Sequence, residues 1–198
     1  LMEFAEGKHY NDLPVDSPAN KQAKKELGIA YHTLELSNIL SGKPFDEDRH
    51  GGQIKINGNQ ATLYDFGALK LTPPTHEELQ AFGNVLYRVK SALDNSPSVD
   101  IGEKANDIFL NEIARFNTVH PENTGYLVSI HKAWLALADF RKDLSTQEMN
   151  DMFGAAFKSG KVHPDIVSGF QSQMSIKEKA KTLFSAFGGA TGPIQIVK

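Results

Sequence analysis

The sequence predicts a mainly α fold with one short β-hairpin, and three observations predict it. A long apolar stripe follows a proline-led start at Ser17. The pair Asn57-Gly58 separates two strand-like runs. From Thr75 onward the chain repeats the Ser/Thr-x-x-Glu spacing in which two side chains exchange hydrogen bonds at a helix start.

In chain order, the first helix begins with Ser17 as N-cap and Pro18 at the first helical position. Ala19, Ala23, Leu27, Ala30, Tyr31 and Leu34 then recur three or four apart, and the stripe continues to Leu40 before Gly42 and Pro44 stop it. "QIKI" and "ATLY" flank Asn57-Gly58, a dipeptide that tolerates the positive φ of a tight turn, so the two runs form a hairpin. Thr75 with Glu78, Ser145 with Glu148 and Ser175 with Glu178 have the capping-box spacing, and Asp100 with Glu103 resembles it. The helices so announced run over 76–94, 101–117, 122–143, 145–159, 164–173 and 176–187. The opening residues are strand-like, and after the hairpin a final "IQIV" is the one further strand candidate.

Composition narrows the function. The chain has 198 residues, of which 40% are hydrophobic, enough for an ordinary core. A formal net charge of -3 and scattered Lys and Arg leave no electrostatic footprint for nucleic acid or anionic lipid. The absence of cysteine excludes disulfides and thiolate zinc sites, and fits the cytoplasm or another reducing compartment, leaving secretion into a host cell open. No run of eighteen apolar residues and no signal-peptide pattern occur, so no transmembrane segment is expected. The opening "LMEF", without an initiator Met in first place, suggests a piece of a longer protein.

The densest chemistry lies in "DEDRHGGQIKINGNQATLYDFG", residues 46–67. Phosphoryl transfer needs a carboxylate to orient the acceptor hydroxyl, oxygen ligands for Mg²⁺ and a fixed spacing between them. Asp48 heads a loop whose sixth position, Gln53, offers an amide oxygen, and the hairpin then returns Asp65 toward that loop ahead of Phe66-Gly67. Asp46 and Glu47 read as solvated loop charges.

Asp48-Arg49-His50-Gly51-Gly52-Gln53 resembles the D-x-H-x-G-N catalytic loop of atypical kinases, as in ubiquinone-biosynthesis kinase-like proteins and aminoglycoside phosphotransferases, and its Asp-Arg-His opening resembles phosphoinositide kinases. Asp65-Phe66-Gly67 is similar to the D-F-G metal-binding motif of the protein-kinase-like superfamily. The resemblance implies one kinase C-lobe-like unit over 1–198: hinge and linker in 1–16, the catalytic core segment in 17–70 and a helical subdomain in 71–198. ATP and Mg²⁺ are the implied cofactors, and the implied partners are the nucleotide and a hydroxyl-bearing acceptor of unknown class, whether protein, lipid head group or small molecule. Asp48 would take the acceptor proton, Asp65 and Gln53 would hold the metal, and Phe66 and Gly67 would complete the nucleotide-side motif. Glu3 and Ala5 would contact adenine through their backbone, and His50 would be a buried support of the loop. Gln53 departs from the family's Asn by one methylene. The 198 residues contain no N-lobe with a Gly-rich loop and a Lys-Glu pair and no A-P-E after Asp65, so this chain alone is expected to be inactive. The glycines and Lys198 of "FGGATGPIQIVK" would mimic the missing parts only in a permuted order.

Two other readings compete: a catalytically dead pseudokinase scaffold, and a helical interaction module with an incidental hairpin. The histidines lack H-E-x-x-H spacing, and His131 reads as a helix-surface or satisfied core residue. Trp134, Leu135, Leu137 and Phe140, and Met149, Met152, Phe153 and Phe157, read as core. Lys177, Lys179 and Lys181 read as a solvated edge.

Overall fold

A computed structural model describes residues 6–58, 60–95, 101–122, 125–159, 162–176 and 178–179. Among them the fold is mainly helical, as the sequence predicts. Helices α1 (Pro18–Leu40), α2 (His76–Asn95), α3 (Ile101–Val119), α4 (Gly125–Ala136), α5 (Ala138–Arg141), α6 (Thr146–Ser159) and α7 (Pro164–Gln173) surround a small amount of β-structure. None of the described helices is long and apolar enough to cross a membrane.

The β-structure is richer than one hairpin. Strands β1 (Lys8–His9), β3 (Ile54–Asn57) and β4 (Gln60–Leu63) form an antiparallel sheet in the order β1-β3-β4, while β2 (Phe45–Asp46) pairs separately with β5 (Leu69–Lys70). Both additions are long-range pairings with no local signature. The hairpin turn also falls one residue later than expected. Asn57 pairs with Gln60, and Gly58 rather than Asn57 carries the positive φ, of 58°.

All three capping boxes form. Thr75 N donates to Glu78 Oε2 at 3.0 Å and Glu78 N to Thr75 Oγ1 at 3.2 Å. The Ser145–Glu148 and Ser175–Glu178 pairs make the same exchange. Ser17 Oγ accepts from Asn20 N at 3.2 Å, and Pro18 opens α1 as expected. Beyond Lys179 the expected helix over 176–187, the "IQIV" strand, the permuted glycines and Lys181 lie outside the described residues, as does Lys177.

The face that α1 buries differs from the one its apolar spacing predicts. Ala19, Ala23, Ala30 and Leu34 are exposed, whereas Tyr31, His32, Glu35, Leu36, Ile39 and Leu40 are buried. Two polar residues sit in that stripe, so a reading that follows apolar side chains alone rotates the helix. The expected single helix over 122–143 breaks at Leu137 into α4 and α5. Arg141 fills the gap: its Nη1 donates to the Trp134 carbonyl oxygen and its guanidinium stacks 4.0 Å from the Trp134 ring centroid. Leu135 and Phe157, both expected in the core, are exposed.

The main core joins α1 (Leu36, Ile39, Leu40), α2 (Leu79, Phe82, Val85, Val89), α3 (Phe109), α4 (Leu127, Trp134) and α6 (Met149, Met152, Phe153). A smaller cluster of Tyr10, Tyr31, Ile54, Leu137 and Phe140 lies beneath the sheet. Helices α2 and α7 cross at glycines. A Cβ on Gly83 would lie 2.6 Å from Phe170 N, and one on Gly169 would collide with Gln80 O and lie 2.7 Å from Gln80 Cα. Only glycine on both sides permits that approach.

Candidate functional site

The loop from Asp46 to Gln53 leaves β2, turns at Glu47-Asp48 and enters a single 3₁₀ turn, Gly51–Gln53, before β3. His50 starts that turn. Its Nδ1 accepts from Gly52 N at 3.1 Å, which fixes the neutral tautomer protonated on Nε2. The ring is half-buried rather than buried as expected.

The hairpin returns the chain to this loop. Beyond the β3–β4 ladder, Tyr64 N donates to Gln53 O at 3.2 Å, and Arg49 Nη1 donates to Tyr64 O at 2.9 Å. Asp48 and Asp65 therefore sit one residue to either side of the same hydrogen bond, Asp48 before Arg49 and Asp65 after Tyr64. Both aspartates are exposed. Asp65 has φ of 59°, the one non-glycine residue with positive φ among those described, and its Oδ1 lies 3.4 Å from Gly67 N. A left-handed aspartate is uncommon and carries strain that its surroundings must offset. Phe66 and Gly67 are exposed, after which β5 returns to β2, and Glu47 N donates to Ala68 O at 3.0 Å.

Gln53 is buried, with its Oε1 shielded and lacking a hydrogen-bond partner. A shielded orphan amide oxygen costs about 1–3 kcal/mol and is a ready hard-oxygen ligand. Asp65 and Gln53 each offer the kind of oxygen that Mg²⁺ takes, and would be the residues to hold it. Among the described residues no group of three or more His, Asp or Glu side chains gathers as a metal site. Glu3 and Ala5 lie outside the described residues. The nearest described strand, β1, joins the sheet through Lys8 opposite Ile56 and His9 opposite Lys55.

The residues that sequence reasoning missed lie underneath. Asp46, expected as a solvated charge, is 1% exposed, and its Oδ2 accepts from Arg49 Nη2 at 2.7 Å. Its Oδ1 accepts from Asp48 N at 2.9 Å. Arg49 is itself 1% exposed, with Nε 3.7 Å from Glu35 Oε1 on α1 and its guanidinium 5.1 Å from the Phe66 ring centroid. Burial pushes the Glu35 carboxyl above the usual glutamate range, opposed by the Arg49 charge. The signal that could have found this cluster is the spacing of Glu35, four residues from Tyr31 and four from Ile39 and so on one face of α1 with them.

Glu47 is half-buried and reaches Lys132 on α4 at 3.3 Å. Burial works to raise its pKa, but hydrogen bonds from Ser129 and Lys132 and the charges of Lys132 and Lys70 prevail, holding it below the usual range. Tyr64 adds a further tie, its hydroxyl meeting Gly52 O and lying 2.7 Å from His9 Nδ1. Far from this site, α2, α6 and α7 enclose an apolar groove of about 370 Å³ lined by Leu86, Val89, Leu93, Phe153, Phe157 and Phe170.

No family model matches the chain, and neither the curated proteins nor the solved structures contain a significant match to it.

Proposed function

We propose that the loop and returning strand form the catalytic centre of an ATP- and Mg²⁺-dependent phosphotransferase of the atypical-kinase kind, acting on a hydroxyl acceptor. One observation carries the reading. The Arg49–Tyr64 and Tyr64–Gln53 hydrogen bonds bring the Asp65 segment back onto the Asp48 loop, so two exposed carboxylates flank one junction. Phosphoryl transfer is mostly positioning and charge stabilisation, and that pairing is its minimum protein requirement.

In this reading Asp48 orients the acceptor hydroxyl and takes its proton as the acceptor oxygen bonds to the γ-phosphorus of ATP and the bond from that phosphorus to the β,γ-bridging oxygen breaks, ADP leaving. Its backbone N–H, donated to Asp46, holds the side chain at the loop's exposed crest. Asp65 and Gln53 would hold Mg²⁺, which when bound neutralises the charge on the phosphate oxygens. His50, its Nδ1 committed to Gly52 N, shapes the loop and takes no part in the proton transfer.

In the full-length protein, Asp65→Ala should abolish Mg²⁺-dependent ATP binding by calorimetry. Asp48→Asn should retain binding while turnover falls about 10²–10⁴-fold, the usual weight of a general base. An unchanged rate in both variants rejects the assignment. The apolar groove between α2, α6 and α7 favours a second reading, a pseudokinase or helical interaction scaffold. That reading expects wild-type protein to show no nucleotide binding with turnover.

A further inference from the structure

We propose that Arg49 is a positioning residue that holds Asp65 in its left-handed conformation by clasping the carbonyl before it and the ring after it. The Mg²⁺-binding consequence rests on the phosphotransfer reading; the conformational claim does not.

Both terminal nitrogens of the guanidinium donate hydrogen bonds, while its shielded Nε has only an ion-pair neighbour. Nη1 donates to Tyr64 O at 2.9 Å and Nη2 to Asp46 Oδ2 at 2.7 Å. Nε faces Glu35 Oε1 at 3.7 Å, an ion-pair separation rather than a hydrogen bond, and Phe66 covers the guanidinium at 5.1 Å. Tyr64 and Phe66 are the two neighbours of Asp65, so the clasp holds the backbone before the residue with φ of 59° and the side chain after it. Asp65's own local help is weak: its Oδ1 lies 3.4 Å from Gly67 N, at the outer limit of a hydrogen bond. An exposed aspartate so poorly held from within would relax toward extended backbone unless something outside the turn opposed it.

The clasp is in turn anchored on two elements. Asp46 belongs to β2, paired with β5 just beyond Phe66, and Glu35 belongs to α1. A charge neutraliser for Asp46 could be a lysine. A group that must meet a carboxylate, a carbonyl oxygen and an aromatic face at once needs the planar fork of arginine.

Nuclear magnetic resonance on the chain tests this, reading the Asp65 backbone shifts and HN–Hα coupling together with hydrogen exchange at the Gly67 and Leu69 amides. Circular dichroism serves as the check on folding. Arg49→Gln and Arg49→Lys should both move Asp65 toward extended averaging and speed Gly67 and Leu69 exchange at least tenfold, Lys failing to rescue. Phe66→Leu, which keeps the fork and removes only the stacked ring, should shift Asp65 the same way by less, and decides the matter if the Arg49 variants do not fold. Folded variants with Asp65 unchanged overturn the proposal, and so does full rescue by Lys. In the full-length protein the Arg49→Lys variant should need about tenfold more Mg²⁺ for ATP binding with the acceptor KM unchanged. If wild-type protein binds no nucleotide, the phosphotransfer reading fails while the Asp65 measurements still decide the clasp.

Discussion

Single residues set opposite pH limits on this molecule. His32 is fully buried against Trp134, ring centroids 5.7 Å apart, and burial, with the Arg141 charge second, pushes its pKa down to about 3. The folded state refuses a proton that the unfolded chain accepts below about 6.5, so this contribution is complete above that pH and is lost as pH falls toward 3. The unfolding free energy from urea titrations should therefore fall between pH 6.5 and pH 4.5 by up to about 1.4 kcal/mol per pH unit. His32→Leu should flatten that limb. Glu35 has the other sign. Its raised pKa means that the folded state keeps a proton the unfolded chain has released, so stability is greatest below the ordinary glutamate range and declines as pH rises through the folded value. Glu35→Gln should remove that decline, seen as a smaller stability difference between pH 5 and pH 8. Neither residue was legible as buried. Periodicity weighs apolar side chains, and a histidine and a glutamate on the inner face of α1 are silent to it. Arg49 escaped for the same reason, although Asp48, Gln53 and Asp65 could be picked out by spacing alone.

At the scale of elements, what was legible is what is local. A capping box needs residues three apart, and Thr75, Ser145 and Ser175 each form theirs. The boxes are not equal. Glu78 is 5% exposed, and while Oε2 takes Thr75 N, Oε1 accepts from Tyr126 N at 2.8 Å, so one carboxylate serves the starts of both α2 and α4. Glu78→Ala should cost about 2–4 kcal/mol, because it also strands a buried N–H. Ser145→Ala, at an exposed box, should cost about 1 kcal/mol. Chemical denaturation of the two variants checks the ranking. The α2–α7 crossing was not legible, since a glycine in a helix signals nothing about its partner. Gly83→Ala and Gly169→Ala should each destabilise by about 1–3 kcal/mol through overpacking, against a small gain expected at an exposed helical glycine. The β2–β5 pair and the addition of β1 to the sheet were invisible because their partners lie far apart in the chain.

For the whole molecule, a large helical core and a smaller cluster beneath the sheet divide the stability unevenly. Strand β4 is an edge with exposed Ala61 and Thr62, so its amides should exchange through local opening with little denaturant dependence. Amides of Phe82 to Val85 in α2, buried at the centre, should exchange only on global unfolding. Hydrogen-exchange mass spectrometry across a urea series separates the two regimes. The crossing of α2 on α7 also bears on biosynthesis. The stretch of α2 around Gly83 leaves the ribosome long before its partner is made, and at roughly 5–20 residues per second the nascent chain waits several seconds with that surface bare. A chaperone that recognises short apolar helical segments has its window on the emerging polypeptide there, and it closes when α7 is translated.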